Sequence, residues 1–113
     1  MQYEVFETSL EMQRAACGFP VSVAAVASIF DEHFPGFPIV PGAFTVGFVL
    51  ACCRTLMPGI AFKVKRVVFI EPIEPGTRLN LQLPGLDRPE LKEIGFILKS
   101  DRSIHCRGSV MYE

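Results

Sequence analysis

His33-Phe34-Pro35-Gly36-Phe37-Pro38-Ile39-Val40-Pro41-Gly42 runs directly into Ala43-Phe44-Thr45-Val46-Gly47-Phe48-Val49-Leu50-Ala51-Cys52-Cys53-Arg54-Thr55-Leu56. The first ten of these residues include three prolines and two glycines, too many breakers for a helix or a central strand, so they read as an ordered loop. Pro41 then fits the first helical position, where its missing N–H costs nothing. The helix Ala43–Leu56 has almost no polar face and must be enclosed on most sides. Pro58-Gly59 stops it. Phe34 to Cys53 is a run of 20 residues without a charge, nominally a bilayer span. Its prolines delay the helix to about Pro41, which leaves about 15 residues where roughly 20 are needed. A buried core helix is expected, with no membrane span.

Beyond the helix the apolar period changes to two. Lys63-Val64-Lys65 and Arg78-Leu79-Asn80-Leu81-Gln82-Leu83 alternate strictly. Strands are expected at 63–71, 78–83, 91–100 and 103–112, separated by Glu74-Pro75-Gly76, Asp87-Arg88-Pro89 and Ser100-Asp101. Upstream, Tyr3–Thr8 and Val21–Ile29 read as extended, with Gly18 and Pro20 between them and a short helix near Ser9–Ala16. One apolar helix followed by hairpin-connected strands implies an α+β layer in which a curved antiparallel sheet wraps the helix.

The chain has 113 residues, enough for one domain and too few for two. Half of them are apolar, 20% are charged, and the mean hydropathy is +0.34. Disorder is thereby excluded. An apolar surplus is hard to hide in so small a chain, so an oligomer is expected. The net charge of −1 gives no general attraction to nucleic acid. The N-terminal residues MQYEVFETSL lack a basic and then apolar leader, so the expected compartment is the cytoplasm.

Four cysteines (Cys17, Cys52, Cys53, Cys106) fit that compartment as reduced thiols, since none forms a CxxC pair. With only His33 and His105 to join them, no compact metal-ligand spacing exists, and no metal is expected. Inside an apolar helix, Cys52 and Cys53 should be inert. His33 stands ahead of a helix N-terminus, whose free N–H groups favour a developing oxyanion. From the residues alone this is half of an active site or a packed histidine on a rigid loop. His105, in Ile104-His105-Cys106-Arg107, is expected to alternate outward. Lys63, Lys65, Arg66, Arg78 and Arg107 read as a solvated strand face or as a dock for an acidic partner.

The loop resembles the HFPGxPxxPG signature of the hotdog-fold beta-hydroxyacyl-acyl carrier protein dehydratases, with every fixed position present. Lys65 through Gly76 is similar to a strand and turn of the same family, and the likeness spans about residues 28–83. It implies a single hotdog domain over 1–113, a long central helix wrapped by an antiparallel sheet of about five to six strands. It implies two protomers pairing edge to edge, with acyl tunnels at their interface. His33 would be the acid/base, and Gly36, Pro41, Gly42, Thr45 and Gly47 would line the substrate. The substrate would be a 3-hydroxyacyl thioester on acyl carrier protein or coenzyme A in fatty-acid or related lipid synthesis. Elimination from an activated thioester requires no cofactor, and no dinucleotide-type glycine loop is present.

In that family the histidine works with a carboxylate from the opposite subunit, expected five residues after Gly42. Here that position is Gly47, which has no side chain. A mid-helix glycine costs about 0.8–1 kcal/mol relative to alanine, so Gly47 leaves space, for an acyl chain or for a facing side chain. Three outcomes follow: a heterodimer whose other hotdog subunit supplies the acid, a homodimer with altered chemistry such as thioester hydrolysis, or a non-catalytic subunit. Asp31 and Glu32 are poor substitutes, because neighbouring side chains on an extended loop point apart. Thr45 offers a hydroxyl to substrate or to its own helix turn.

Overall fold

A computed structural model of the chain describes residues 1–10, 18–33, 36 and 38–113, with 31–33 as backbone only. The helix expected near Ser9–Ala16 falls mostly outside these residues, as does Cys17.

The central helix α2 (Gly42–Leu56) starts one residue from the expected position. Pro41 is the N-cap rather than the first helical residue: its φ of −59° and ψ of 138° are extended, and its carbonyl accepts the N–H of Phe44 at 3.0 Å. At the far end the Met57 N–H closes on the Cys53 carbonyl at 2.8 Å. Thr45, Phe48, Val49, Cys52 and Cys53 are buried, and their i, i+3, i+4 spacing makes one continuous stripe. The strands after it are β4 (Lys63–Phe69), β5 (Arg78–Gln82), β6 (Glu93–Lys99) and β7 (Ile104–Met111). They occupy the expected places, with one 3-10 turn at Pro89–Leu91.

The N-terminal third differs from its expected reading. Tyr3–Thr8 folds back on itself as strands β1 (Gln2–Tyr3) and β2 (Phe6–Thr8), with Tyr3 paired to Phe6. The turn between them places Glu4 at φ 50°, a left-handed conformation uncommon outside glycine and asparagine. Val21–Ile29 is not extended throughout: β3 (Phe19–Val23) ends early, and helix α1 (Ser28–His33) follows. Ser28-Ile29-Phe30-Asp31 matches the capping pattern of a helix start. A proline two positions past His33 disfavours a longer helix.

All strand pairs are antiparallel, in the order β1-β2-β3-β5-β6-β7-β4. Among the described residues the sheet therefore has seven strands rather than five to six, and the short hairpin β1-β2 accounts for the excess. It curls round α2. Phe19 and Val21, Leu79 and Leu81, Ile94, Phe96 and Leu98, and Cys106 and Val110 face inward, and Phe6 stacks on Phe48 with ring centroids 4.5 Å apart. This is the α+β arrangement the sequence implied, a long helix inside a curved antiparallel sheet.

Strand β4 carries a bulge between Val64 and Arg66 in its pairing with β7. A bulge bends the strand that holds it. The Arg66 carbonyl lies so close to Gly108 that a Cβ there would overlap it and would stand 2.9 Å from Phe96 Cζ. Backbone cannot swing aside as a side chain can. Gly108→Ala is therefore expected to lower the urea-unfolding free energy by about 1–3 kcal/mol, the usual cost of overpacking, whereas Ser109→Ala should change it little.

Candidate functional site

The first turn of α2 leaves N–H groups without intrahelical acceptors. The helix start borders a cavity of about 320 Å3 whose walls include Val40, Gly42, Thr45, Phe69, Ile73 and His105. Loop, helix and sheet meet there. The loop before α2 supplies Ile39 and Val40, α2 supplies Gly42 and Thr45, and the segment after β4 supplies Ile70 to Ile73. The Val40 N–H bonds the Ile73 carbonyl at 2.8 Å, tying loop to segment. The lining is mostly apolar, with Thr45 and His105 as buried polar residues.

Two glycines of α2 admit aromatic rings. A Cβ on Gly42 would stand 2.9 Å from Phe69 Cζ, so the ring lies close over the helix start. Gly47 faces a different flank. There a Cβ would overlap the Tyr3 hydroxyl and would stand 2.7 Å from Tyr3 Cζ, so the space left by Gly47 is filled by a side chain from β1.

Gly42 and Thr45 share the cavity. Pro41 caps the helix beside it. Gly36, at φ 77°, lines a separate groove with Ala25, Pro38, Ile39, Glu74 and Pro75. His33 closes α1, and its side chain, with those of Asp31 and Glu32, lies outside the described residues, as do Phe34, Pro35 and Phe37. Of the basic positions, Lys65 pairs with Glu93 at 3.1 Å. Arg66 and Arg107 flank a depression of about 340 Å3 on the outer sheet face, over Gly95 and Gly108.

His105 corrects an expectation. It is not an outward-facing residue but is only 8% exposed. The β6–β7 register pairs Leu98 with Cys106 and Lys99 with Ile104, so His105 is the extra residue of a bulge, where strand alternation breaks. Its Nδ1 lies 3.0 Å from the Pro72 carbonyl and its Nε2 2.8 Å from Ser100 Oγ. The signal missing from the sequence was the bulge itself.

The thiols behave as their surroundings dictate. Burial pushes Cys52 up to about 12, with Cys53 adding to the effect, and raises Cys53 and Cys106 to about 11. A thiol kept neutral by the fold stabilises it fully below the unfolded value near 9. That stabilisation disappears as pH climbs towards 11 to 12. Native protein at pH 8 should leave Cys52, Cys53 and Cys106 unalkylated by iodoacetamide while the unfolded chain reacts, and stability should fall steeply above pH 9. Among the described residues no cluster suits a metal ion, and no helix is long and apolar enough to cross a membrane.

Tyr3 and Gly47 supply a second expectation. Alanine normally favours a helix over glycine by about 1 kcal/mol, but here its Cβ must displace the phenol ring. Gly47→Ala should be more favourable by about 1 kcal/mol in a Tyr3→Ala background than in the wild type, measured as a double-mutant cycle. Additive effects would show that the contact does not matter.

The ApeI-like family model, described as ApeI dehydratase, matches residues 9–109. Among solved structures, the dehydratase heterocomplex ApeI:P from Xenorhabdus doucetiae superposes with a TM-score of 0.70 at 23% identity, covering 83% of this chain and 85% of that one. An uncharacterized protein from Erwinia carotovora subsp. atroseptica superposes with a TM-score of 0.69, also at 23% identity, covering 84% and 80%. These likenesses establish the hotdog fold. No curated protein sequence matches significantly.

Proposed function

We propose that this chain, which belongs to the ApeI-like dehydratase family, is the histidine-bearing subunit of a hotdog heterodimer that removes water from 3-hydroxyacyl thioesters. The observation that carries this reading is Gly47 under Tyr3. The helix position where the resemblance expects the acid is filled from within the chain, while the helix start and its cavity are kept. A second hotdog subunit with Asp or Glu on its own central helix completes the pair. The heterocomplex found for the Xenorhabdus protein supports such an assembly.

In the proposed site the thioester carbonyl lies at the start of α2, where the Gly42 N–H stabilises charge building on its oxygen. His33 takes the proton from C2, the C2–C3 double bond forms, and the C3–O bond breaks. The partner's carboxylic acid protonates the departing hydroxyl, which leaves as water. Proton removed and proton supplied balance, so no cofactor enters the reaction. The acyl chain runs along the apolar walls formed by Ile39, Val40 and Ile73, on acyl carrier protein or coenzyme A in cytoplasmic lipid or polyketide synthesis.

The part of α2 outside the buried stripe suits the second subunit. Phe44, Val46 and Leu50 are only half-buried by the chain's own sheet, and β4 is an unpaired edge ending in the exposed Phe69. The test is to incubate the chain, alone and with a hotdog chain carrying the acid, with 3-hydroxyacyl thioesters and to follow loss of water by mass. Native mass is read in parallel. Turnover is expected in the mixture, and His33→Ala should lower it by about 10²–10⁴-fold. Turnover unchanged by His33→Ala, or no dehydration in either sample, overturns the reading. Hydrolysis by the chain alone would support the altered-activity homodimer instead.

A further inference from the structure

The segment Ile70 to Ile73 forms the cavity wall facing the first turn of α2, and one residue of β7 holds it by both main chain and side chain. The His105 carbonyl accepts the N–H of Ile70 at 2.9 Å and of Glu71 at 3.3 Å. Its ring reaches the same segment from the side: Nδ1 stands 3.0 Å from the Pro72 carbonyl and 3.3 Å from the Glu71 carbonyl. Carbonyls only accept, so they fix Nδ1 as the N–H donor. In the neutral ring Nε2 is then an acceptor, and Ser100 Oγ–H donates to it at 2.8 Å. Both ring nitrogens are engaged, which suits a clamp and leaves neither free to move a substrate proton.

From this wall the bonding continues to the catalytic loop. The Ile73 carbonyl receives the Val40 N–H, and Val40 adjoins Pro41, the cap of α2. Displacing Ile70 to Ile73 would thus move the side of the cavity opposite Gly42 and Thr45. With both ring nitrogens hydrogen-bonded, the buried imidazole is satisfied only while that wall stays in place.

We propose that His105 is a positioning residue that sets the acyl-chain length the cavity accepts. The proposal rests on the acyl-thioester reading of the site. Where a methylene finds apolar room, affinity rises about fourfold, the equivalent of the usual transfer free energy. Where the wall stops it, the gain ends, so the break in a chain-length series reports where the wall stands.

The experiment uses non-hydrolysable acyl-pantetheine thioethers of increasing length, bound to wild type, His105→Leu and His105→Asn by calorimetry. Amide hydrogen exchange at Ile70 and Glu71 is followed in the same proteins. His105→Leu leaves two carbonyls without their donor. It is expected to shift or erase the break, to weaken the best chain about tenfold, and to speed exchange at both amides. His105→Asn keeps a donor near the Nδ1 position and should stay within about threefold of wild type. Should His105→Leu not fold, His105→Gln, which keeps a partner for Ser100 and drops the donor to Pro72, carries the same expectation. An unchanged break with faster exchange overturns the role in selectivity, and unchanged exchange overturns the clamp. A wild type that gains nothing per methylene overturns the acyl reading and the selectivity role with it. The exchange data distinguish that result from a failed clamp.

Discussion

A helix of 15 residues with Arg54 as its one charged side chain has to be enclosed, and every other element is placed by how that is done. The chain's own sheet takes the stripe Thr45, Phe48, Val49, Cys52 and Cys53. Phe44, Val46 and Leu50 stay half-covered. Burial stabilises by roughly 25 cal/mol per Å2 of apolar surface, so the uncovered part is a standing inducement to associate. The free edge shows the same division. Lys63 and Lys65 at the start of β4 discourage indiscriminate pairing, as charges on edge strands do. Its far end exposes Phe69, followed directly by exposed Ile70 beside the cavity.

What could be read from the sequence was whatever its spacing encodes. The helix boundaries, the four strands after it and the wrap were legible because apolar period and proline-glycine punctuation are local signals. The missed parts share one physical feature: each depends on a backbone departure with no residue-type marker. The β1-β2 hairpin turns through Glu4 rather than glycine, so nothing in Tyr3–Thr8 announces a reversal. His105 is inward because a bulge consumes one residue of β7, and alternation read from sequence assumes none. Helix α1 is the exception, since Ser28 and Asp31 carried a start signal that a short apolar run obscured.

Of the candidate site, the helix start was legible, and Gly42 and Thr45 do face one cavity, whereas His33, read as part of the loop, is the last residue of α1. The contents of the space at Gly47 were not. A glycine in a sequence declares that room exists and not who occupies it, and the occupant here lies 44 positions away, on the strand the sequence reading did not resolve.

That occupant links the fold to the chemistry. Gly42 and Gly47 lie five positions apart, about 140° round the helix at 100° per residue. Each receives an aromatic ring, Phe69 from β4 and Tyr3 from β1, and these are the two edge strands of the sheet. The two margins of the wrap are thus seated on α2 through glycines on different flanks. A carboxylate at position 47 would have to expel Tyr3 and so loosen one margin of the sheet. On the proposed reading, the missing acid and the way the sheet closes are a single structural fact. The chain can keep its fold or hold its own acid at that position, and a partner subunit is the arrangement in which neither has to be given up.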